Sequence, residues 1–187
     1  MVPFMQIEVD IVCVDGDNIL LYDSSREIQQ DVSQVIECIV KNLEAYCDEE
    51  RGNDHDRYIK AFTRIGNELG FVTQTEYSSK GLRVDCVWID RKGTVYGAIE
   101  VETSGGIKKG IVSTWELEPQ LAIILSRTKT DKSILNLTEY ALLKVIPHPL
   151  IIINAETKML YYFERQEIIV IIQLITPKEK TEGIKEI

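Results

Sequence analysis

The chain has 187 residues, 44% of them hydrophobic and 27% charged, which is enough to bury one ordinary core without metal or disulfide support. Its formal net charge of −9 and pI near 4.8 argue against a broad surface that coats nucleic acid. No internal repeat, low-complexity linker or shift in composition divides it, so we expect one domain over residues 1–187.

The N-terminal part, residues 1–50, is predicted to form a β-hairpin and a long helix. Apolar residues alternate or run together over 4–14 and 18–23, on either side of turn-forming residues. They then recur at helical spacing from 28 to 46, and a second helix is expected over 56–69 with Gly70 just past its end. We interpret the hairpin as an element added to the edge of a sheet.

The rest of the chain mixes strand and helix signals. Strands are expected over 71–76, 82–89 and 96–103, and the turn signal of residues 90–93 joins the last two antiparallel. A flexible loop is expected over 104–110 and helices over 117–126 and 137–145, the latter ended by Pro147 and Pro149. A doubly buried strand should follow at 150–153, then closing strands at 158–165 and 168–174 and a charged tail at 177–187.

Cysteine usage and the apolar runs bear on the cellular compartment. The four cysteines lack the paired spacing of a zinc site; they are Cys13, Cys38, Cys47 and Cys86. The N-terminus lacks a secretion signal, and the longest apolar run, 168–172, is too short to span a bilayer. We therefore expect an intracellular protein that does not associate with membranes.

Three acidic residues fall on two neighbouring predicted strands. Glu100 and Glu102 lie two apart, so both side chains point to one face of their strand, and Asp85 lies on the strand before it. Because a tight turn joins the two strands, the three carboxylates can converge. Their mutual repulsion favours a divalent cation such as Mg²⁺ or Mn²⁺, which would suit phosphodiester cleavage. The alternative is a polar, solvated strand face, which alternation alone often produces.

The order of these elements resembles the PD-(D/E)XK, or restriction-endonuclease-like, nuclease superfamily. Its motif is an Asp opening one strand and a Glu-x-Lys on the next, which Asp85 and Glu100 match. Glu102 stands where the family has its Lys. The resemblance covers residues 57–154. It implies a mixed central β-sheet flanked by helices, with Asp85, Glu100 and Glu102 as ligands of Mg²⁺ or Mn²⁺ and DNA as the substrate.

Other residues could complete such a site. The resemblance suggests that Glu68, near the end of the second helix, adds a ligand or water contact; the alternative is a solvated helical Glu. Lys108 and Lys109, in the Gly-flanked loop, could replace the missing motif Lys, although a plain surface pair is equally compatible with the sequence. Gln120 on the following helix could face the site.

We therefore predict a metal-dependent endonuclease that hydrolyses DNA, with Glu102 as a third ligand or as the base that orients water. Asp85, Glu100, Glu102, Glu68 and Lys108 are the candidate catalytic residues. The resemblance makes a homodimer possible, because such enzymes often act as dimers to cut two strands. One alternative is a non-catalytic DNA-binding or assembly protein on the same fold, which the acidic pI and the Lys-to-Glu departure favour. The other is an α/β interaction protein with a chance acidic strand.

Overall fold

The computed structural model describes most of the chain. The described residues are 10–14, 18–22, 30–104, 106–128, 130–139, 141–144, 148–165 and 167–177. The predicted hairpin turn at 15–17, the strand residues before 10 and the charged tail beyond Pro177 lie outside them.

The described residues contain nine strands and four α-helices. The strands are β1 (Asp10–Val14), β2 (Asn18–Tyr22), β3 (Val72–Ser79), β4 (Leu82–Ile89), β5 (Val95–Glu102), β6 (Leu121–Ser126), β7 (Leu150–Asn154), β8 (Met159–Glu164) and β9 (Glu167–Gln173). The helices are α1 (Gln30–Glu49), α2 (Asp54–Glu68), α3 (Ile107–Trp115) and α4 (Lys132–Leu135). Two 3₁₀ segments follow α4, at Asn136–Glu139 and Ala141–Lys144.

All nine strands join in one mixed sheet with the order β1-β2-β9-β8-β7-β6-β5-β4-β3. Strands β5, β6 and β7 run parallel to one another, and every other neighbouring pair is antiparallel. Helices α1 and α2 cover one face of the sheet, while α3 and α4 cover the other. The prediction of an α/β fold with a mixed sheet flanked by helices is confirmed, as is the hairpin β1–β2 at the sheet edge.

Burial follows from the pattern of apolar residues. The apolar stripe of α1, from Val32 to Cys47, packs with that of α2 against one sheet face. Strands β6 and β7 are buried along their whole length because helices cover both of their faces. The central parallel strands are therefore the most protected part of the sheet, and their carboxyl ends lie together at one edge.

Two predicted helices and one predicted loop are wrong. Residues 121–126 form strand β6, and the helix in this region is α3, which lies earlier and includes the lysines expected in a loop. The error arises because a short apolar run fits a doubly buried strand as well as a helix. The helix expected over 137–145 is replaced by α4 and the two 3₁₀ segments.

Two local predictions are confirmed. Gly93 (φ 79°) closes the β4–β5 turn, in which the Asp90 N–H donates to the Thr94 carbonyl at 2.9 Å. Gly70 (φ 89°) follows the last residues of α2 in a left-handed conformation.

No helix within the described ranges has the length and apolar character needed to cross a membrane.

Candidate active site

Strands β4 and β5 separate at the position of Asp85. Their antiparallel register runs from Ile89–Val95 to Cys86–Ile99, with one irregularity next to Trp88. At the next position the Asp85 carboxylate accepts a hydrogen bond from the Val101 N–H at 2.8 Å, so a side chain replaces the backbone partner. The Asp85 carboxylate is thereby fixed at the point where the strands diverge.

Glu100 and Glu102 occupy the sheet face that α3 covers. Both residues are buried, with 7% and 8% exposure. The helix can approach them because Gly110, within α3, and Gly106, its N-cap residue, have no side chains. A Cβ on Gly110 would lie 3.5 Å from the Glu100 Cβ, and a Cβ on Gly106 would lie 3.2 Å from the Glu102 Oε2. The residues between the acids, such as Val101, belong to the core on the opposite face.

The environment of Glu100 disfavours its negative charge. The pKa of Glu100 is raised to about 8, chiefly by burial, and its hydrogen bond with Asp85 and the charges of Asp85 and Glu102 contribute in the same direction. The ammonium of Lys109 opposes this effect. Near neutral pH, the Glu100 carboxyl can thus stay protonated, and its O–H can donate a hydrogen bond to the Asp85 carboxylate. The acids are crowded, and the neighbouring positive charge compensates only part of their repulsion.

Two cationic or potentially cationic side chains flank the acids. The Lys109 Nζ lies 3.5 Å from the Glu102 Oε1, and the His55 Nε2 lies 3.4 Å from the Asp85 Oδ2. His55 is in the first turn of α2, whose N-cap Asn53 accepts a hydrogen bond from the Asp56 N–H at 2.9 Å.

The start of α2 is anchored at the carboxyl end of β6. The Arg127 Nη2, just past that strand, lies 2.6 Å from the Asp54 Oδ2. This ion pair holds the helix start at the edge of the sheet where β5 ends. The sequence offered no signal for the contact of His55 with Asp85, since the two residues are 30 positions apart and come together only through tertiary packing.

The structure does not bring Glu68 to the other acids. Its carboxylate lies on the α2 side of the sheet, where it accepts hydrogen bonds from the Tyr46 hydroxyl at 2.7 and 2.8 Å and lies 3.7 Å from the Arg64 Nε. The prediction depended on which face of α2 carries Glu68, and helical spacing alone could not fix that.

The remaining candidates are distributed around the site. Lys109 makes the ion pair with Glu102, while Lys108 is exposed on the first turn of α3. Gln120 is exposed just before β6 and is not on a helix. Trp88 is in the core, where its indole N–H donates to the Phe62 carbonyl at 3.1 Å.

No set of three or more His, Cys, Asp or Glu side chains within the described ranges is arranged to hold a metal ion. Asp85, Glu100 and Glu102 share a face and influence one another electrostatically. In this arrangement Asp85 and Glu100 form a hydrogen bond with each other, and Glu102 forms an ion pair with Lys109.

No protein-family model matches the chain, and no curated protein matches it. Among solved structures, it is similar to a protein of unknown function from Silicibacter pomeroyi, with 18% identity over 64% of this chain and 73% of that one and a TM-score of 0.31. Two variants of an amidase from Nesterenkonia sp. AN1, of the nitrilase superfamily, are similar at 8% identity over 83% of this chain and 85–86% of theirs, with TM-scores of 0.35. At these TM-scores the similarities do not bear on function.

Proposed function

We propose that the chain is a metal-dependent endonuclease that hydrolyses phosphodiester bonds in DNA, with Asp85 and Glu100 as ligands of Mg²⁺ or Mn²⁺. The observation that carries the proposal is the crowding of Asp85, Glu100 and Glu102 where β4 and β5 diverge, with the pKa of Glu100 raised to about 8. Perturbed acids held in such a position are candidates for function rather than for stability.

The order of elements supports the same proposal. Helix α2, the antiparallel strands β3–β4–β5, helix α3 and strand β6 parallel to β5 follow one another in the chain. This is the arrangement that the restriction-endonuclease-like resemblance implies, with Asp85 on the middle strand of the three and Glu100 on the last.

The donor set suits a hard divalent cation. Mg²⁺ takes oxygen ligands and usually needs only one or two carboxylates, with water and substrate phosphate oxygens in its remaining positions. Asp85 and Glu100 supply such a pair, and Glu102 lies beside them. A bound cation would also offset the burial and the acidic neighbours that raise the pKa of Glu100, so binding should release the proton of Glu100.

Each residue then has a defined task. When bound, the cation would supply Lewis acidity, which activates water and offsets charge on the scissile phosphate. Asp85 stays oriented through its hydrogen bond from the Val101 N–H. Glu102 acts as a third ligand or orients the attacking water. Helix α3 covers the acids and limits access of bulk water to them.

Lys109 is the best replacement for the motif Lys that Glu102 displaces. Its ammonium lies 3.5 Å from the Glu102 carboxylate and lowers the pKa of Glu100. In this chain the positive charge beside the acids therefore comes from α3, whereas the family motif places it on the strand that corresponds to β5. The sequence offers both Lys108 and Lys109 for this role, and the ion pair of Lys109 with Glu102 favours Lys109. Arranged in this way, Lys109 could orient water or contact a phosphate oxygen.

The test is cleavage of supercoiled plasmid with Mg²⁺ or Mn²⁺ by the wild type, Glu100→Gln and a matched control. Glu116→Gln is the control, because it makes the same chemical change at an exposed position at the far end of α3. We expect nicking or cutting by the wild type and by Glu116→Gln, but not by Glu100→Gln. Equal cleavage by all three would refute the assignment.

The second candidate is a non-catalytic DNA-binding or assembly protein on the same fold. The observation that favours it is Glu102 at the family's Lys position, where its buried carboxylate adds negative charge. Wild-type protein that binds Mn²⁺ but cleaves neither duplex nor single-stranded DNA would support this candidate. A homodimer belongs to the first proposal, because cutting both strands of a duplex takes two such sites.

A further inference from the structure

A cleft of about 280 Å³ lies beside the acids, between the start of α3 and the segment that follows β6. Residues 106–109 line one side, and Thr128, Ser133 and Leu137 line the other. We call this cavity the α3 cleft. Lys109 belongs both to it and to the acid site through its ion pair with Glu102, so a ligand in the cleft would lie next to the proposed reaction centre.

The lining of the α3 cleft is basic and apolar in an acidic chain. The chain has 30 acidic and 21 basic residues, yet none of the cleft's lining residues is acidic and two are lysines. Ile107 and Leu137 supply apolar walls. The hydroxyls of Thr128 and Ser133 lie 3.1 Å apart on the opposite side. The lysines and hydroxyls suit a phosphate group, and the apolar side chains suit a ring. The lining therefore fits a ligand that contains both.

Polar groups at the start of α3 are also suited to an anion. The N-cap residue of α3, Gly106, supplies no side-chain cap, and backbone N–H groups at a helix start attract negative charge. Ser126, the neighbour of Glu102 on β6, lies on the same sheet face. Its hydroxyl is fully buried and has no hydrogen-bond partner among the described residues. A buried polar group of this kind costs free energy unless a ligand or water satisfies it.

A hydrogen-bonded network holds the far wall of the cleft in place. The Asn154 Nδ2 and the Thr157 hydroxyl donate to the Asp131 Oδ1 at 2.9 and 2.7 Å. The Thr128 N–H in turn donates to the Asn154 Oδ1 at 3.3 Å. The wall is therefore ordered before any ligand arrives, which reduces the entropy cost of binding.

We propose that the α3 cleft binds the nucleotide next to the cleaved bond. Its phosphate would contact Lys108 and the first turn of α3, while its sugar and base would pack against Ile107 and Leu137. The volume is just below the range of about 300–1,000 Å³ typical of sites for larger ligands, which suits a single nucleotide unit. This inference rests on the proposed function, since it names the part of the substrate that the site holds.

The test measures binding without cleavage. A fluorescein-labelled single-stranded oligonucleotide is titrated in EDTA over a series of salt concentrations, with anisotropy as the readout. Lys108→Ala should lower affinity about fivefold at 0.1 M salt, because one phosphate contact on a single strand contributes a salt slope of about 0.7. Ser133→Tyr should fill the cleft and weaken binding while leaving the salt slope unchanged. Lys92→Ala, an exposed lysine in the β4–β5 turn, is the matched control and should bind like the wild type.

A second arm separates a nucleotide site from a simple anion site. Thymidine 5′-monophosphate, thymidine and inorganic phosphate are each titrated into the wild type and Ser133→Tyr. The proposal requires the monophosphate to bind more tightly than either fragment and Ser133→Tyr to abolish the difference. Inorganic phosphate binding as tightly as the monophosphate would overturn it.

The outcomes distinguish this inference from the proposed function. A wild type that cleaves DNA, with Lys108→Ala and Ser133→Tyr binding the oligonucleotide as tightly as the control, would overturn the cleft assignment alone. A wild type that cleaves no DNA, but whose oligonucleotide binding both variants weaken, would overturn the nuclease proposal and support the cleft as a nucleotide site.

Discussion

Replacing Glu100 with Gln should remove a decline of stability with rising pH in the metal-free protein. The pKa of Glu100 is raised from 4.5 to about 8 in the folded chain, chiefly by burial. Between these two values the folded state keeps a proton that the unfolded state has lost. Stability is therefore fully present below about pH 4.5 and falls as pH rises through about 8. Gln keeps the shape and hydrogen-bonding capacity of a protonated Glu and cannot ionise, so this decline should be absent from Glu100→Gln.

The size of the effect follows from the pKa difference. Each pKa unit corresponds to about 1.4 kcal/mol, so the upper limit is on the order of 5 kcal/mol. Glu100 is only 7% exposed, which limits screening by solvent. Part of the shift comes from the neighbouring Asp85 and Glu102, whose charges other groups and solvent also screen, so the measured difference will be smaller than this limit. We expect Glu100→Gln to be more stable than the wild type by about 2–3 kcal/mol at pH 8.5 and similar to it at pH 4.5.

The assay is urea denaturation of both proteins in EDTA from pH 4.5 to 9, with Glu116→Gln as control. The free energy of unfolding of the wild type minus that of Glu100→Gln should become steadily more negative over this range. Saturating Mg²⁺ at pH 8.5 should stabilise the wild type and not the variant, since a ligand of the folded state stabilises it by mass action. A difference that stays constant with pH would refute the crowding of the acids.

Substitutions at three further positions test other parts of the structure. Glu102→Ala should nearly eliminate cleavage, and Glu102→Lys should lower Mn²⁺ affinity in calorimetry; an Ala variant as active as the wild type would remove Glu102 from the mechanism. Lys158→Ala should cost about 2 kcal/mol in urea denaturation, because it leaves the buried Glu44 carboxylate, now 2.8 Å from the Lys158 Nζ, without its cation; a loss below half a kcal/mol would contradict this. Gly66→Ala should destabilise by about 1–3 kcal/mol although Ala favours helices, because its Cβ would overlap the indole of Trp88; a stabilised variant would show that α2 lies farther from β4.

The confirmed sequence predictions rest on patterns within short segments of the chain. The turn ending at Gly93 needs only its own residues, and it makes β4 and β5 neighbours. Alternation along β5 then puts Glu100 and Glu102 on one face. Asp85 joins them because the register of the hairpin brings it opposite Glu100. The acid cluster is thus a consequence of short-range geometry, which a sequence pattern can show.

The parts that were missed depend on contacts between distant segments. Residues 121–126 are apolar at every position except the last. A run of this kind fits either a buried helix or a strand whose two faces are both covered by helices, so hydrophobic periodicity alone could not identify β6 as a strand. The pairing of His55 with Asp85 requires the packed position of α2. Glu68 was placed near the acids by resemblance alone, and its helix face turns it toward Tyr46 instead.

The most direct measurement is the anomalous difference density of a crystal soaked in Mn²⁺. We expect one strong peak at about 2.1 Å from carboxylate oxygens of Asp85 and Glu100, with Lys109 or His55 moved from its present partner. Soaked crystals of Glu100→Gln should lose the peak. A wild-type crystal at saturating Mn²⁺ with no peak at these acids, and with the contacts of Lys109 with Glu102 and of His55 with Asp85 unchanged, would contradict the proposal of a cation centre.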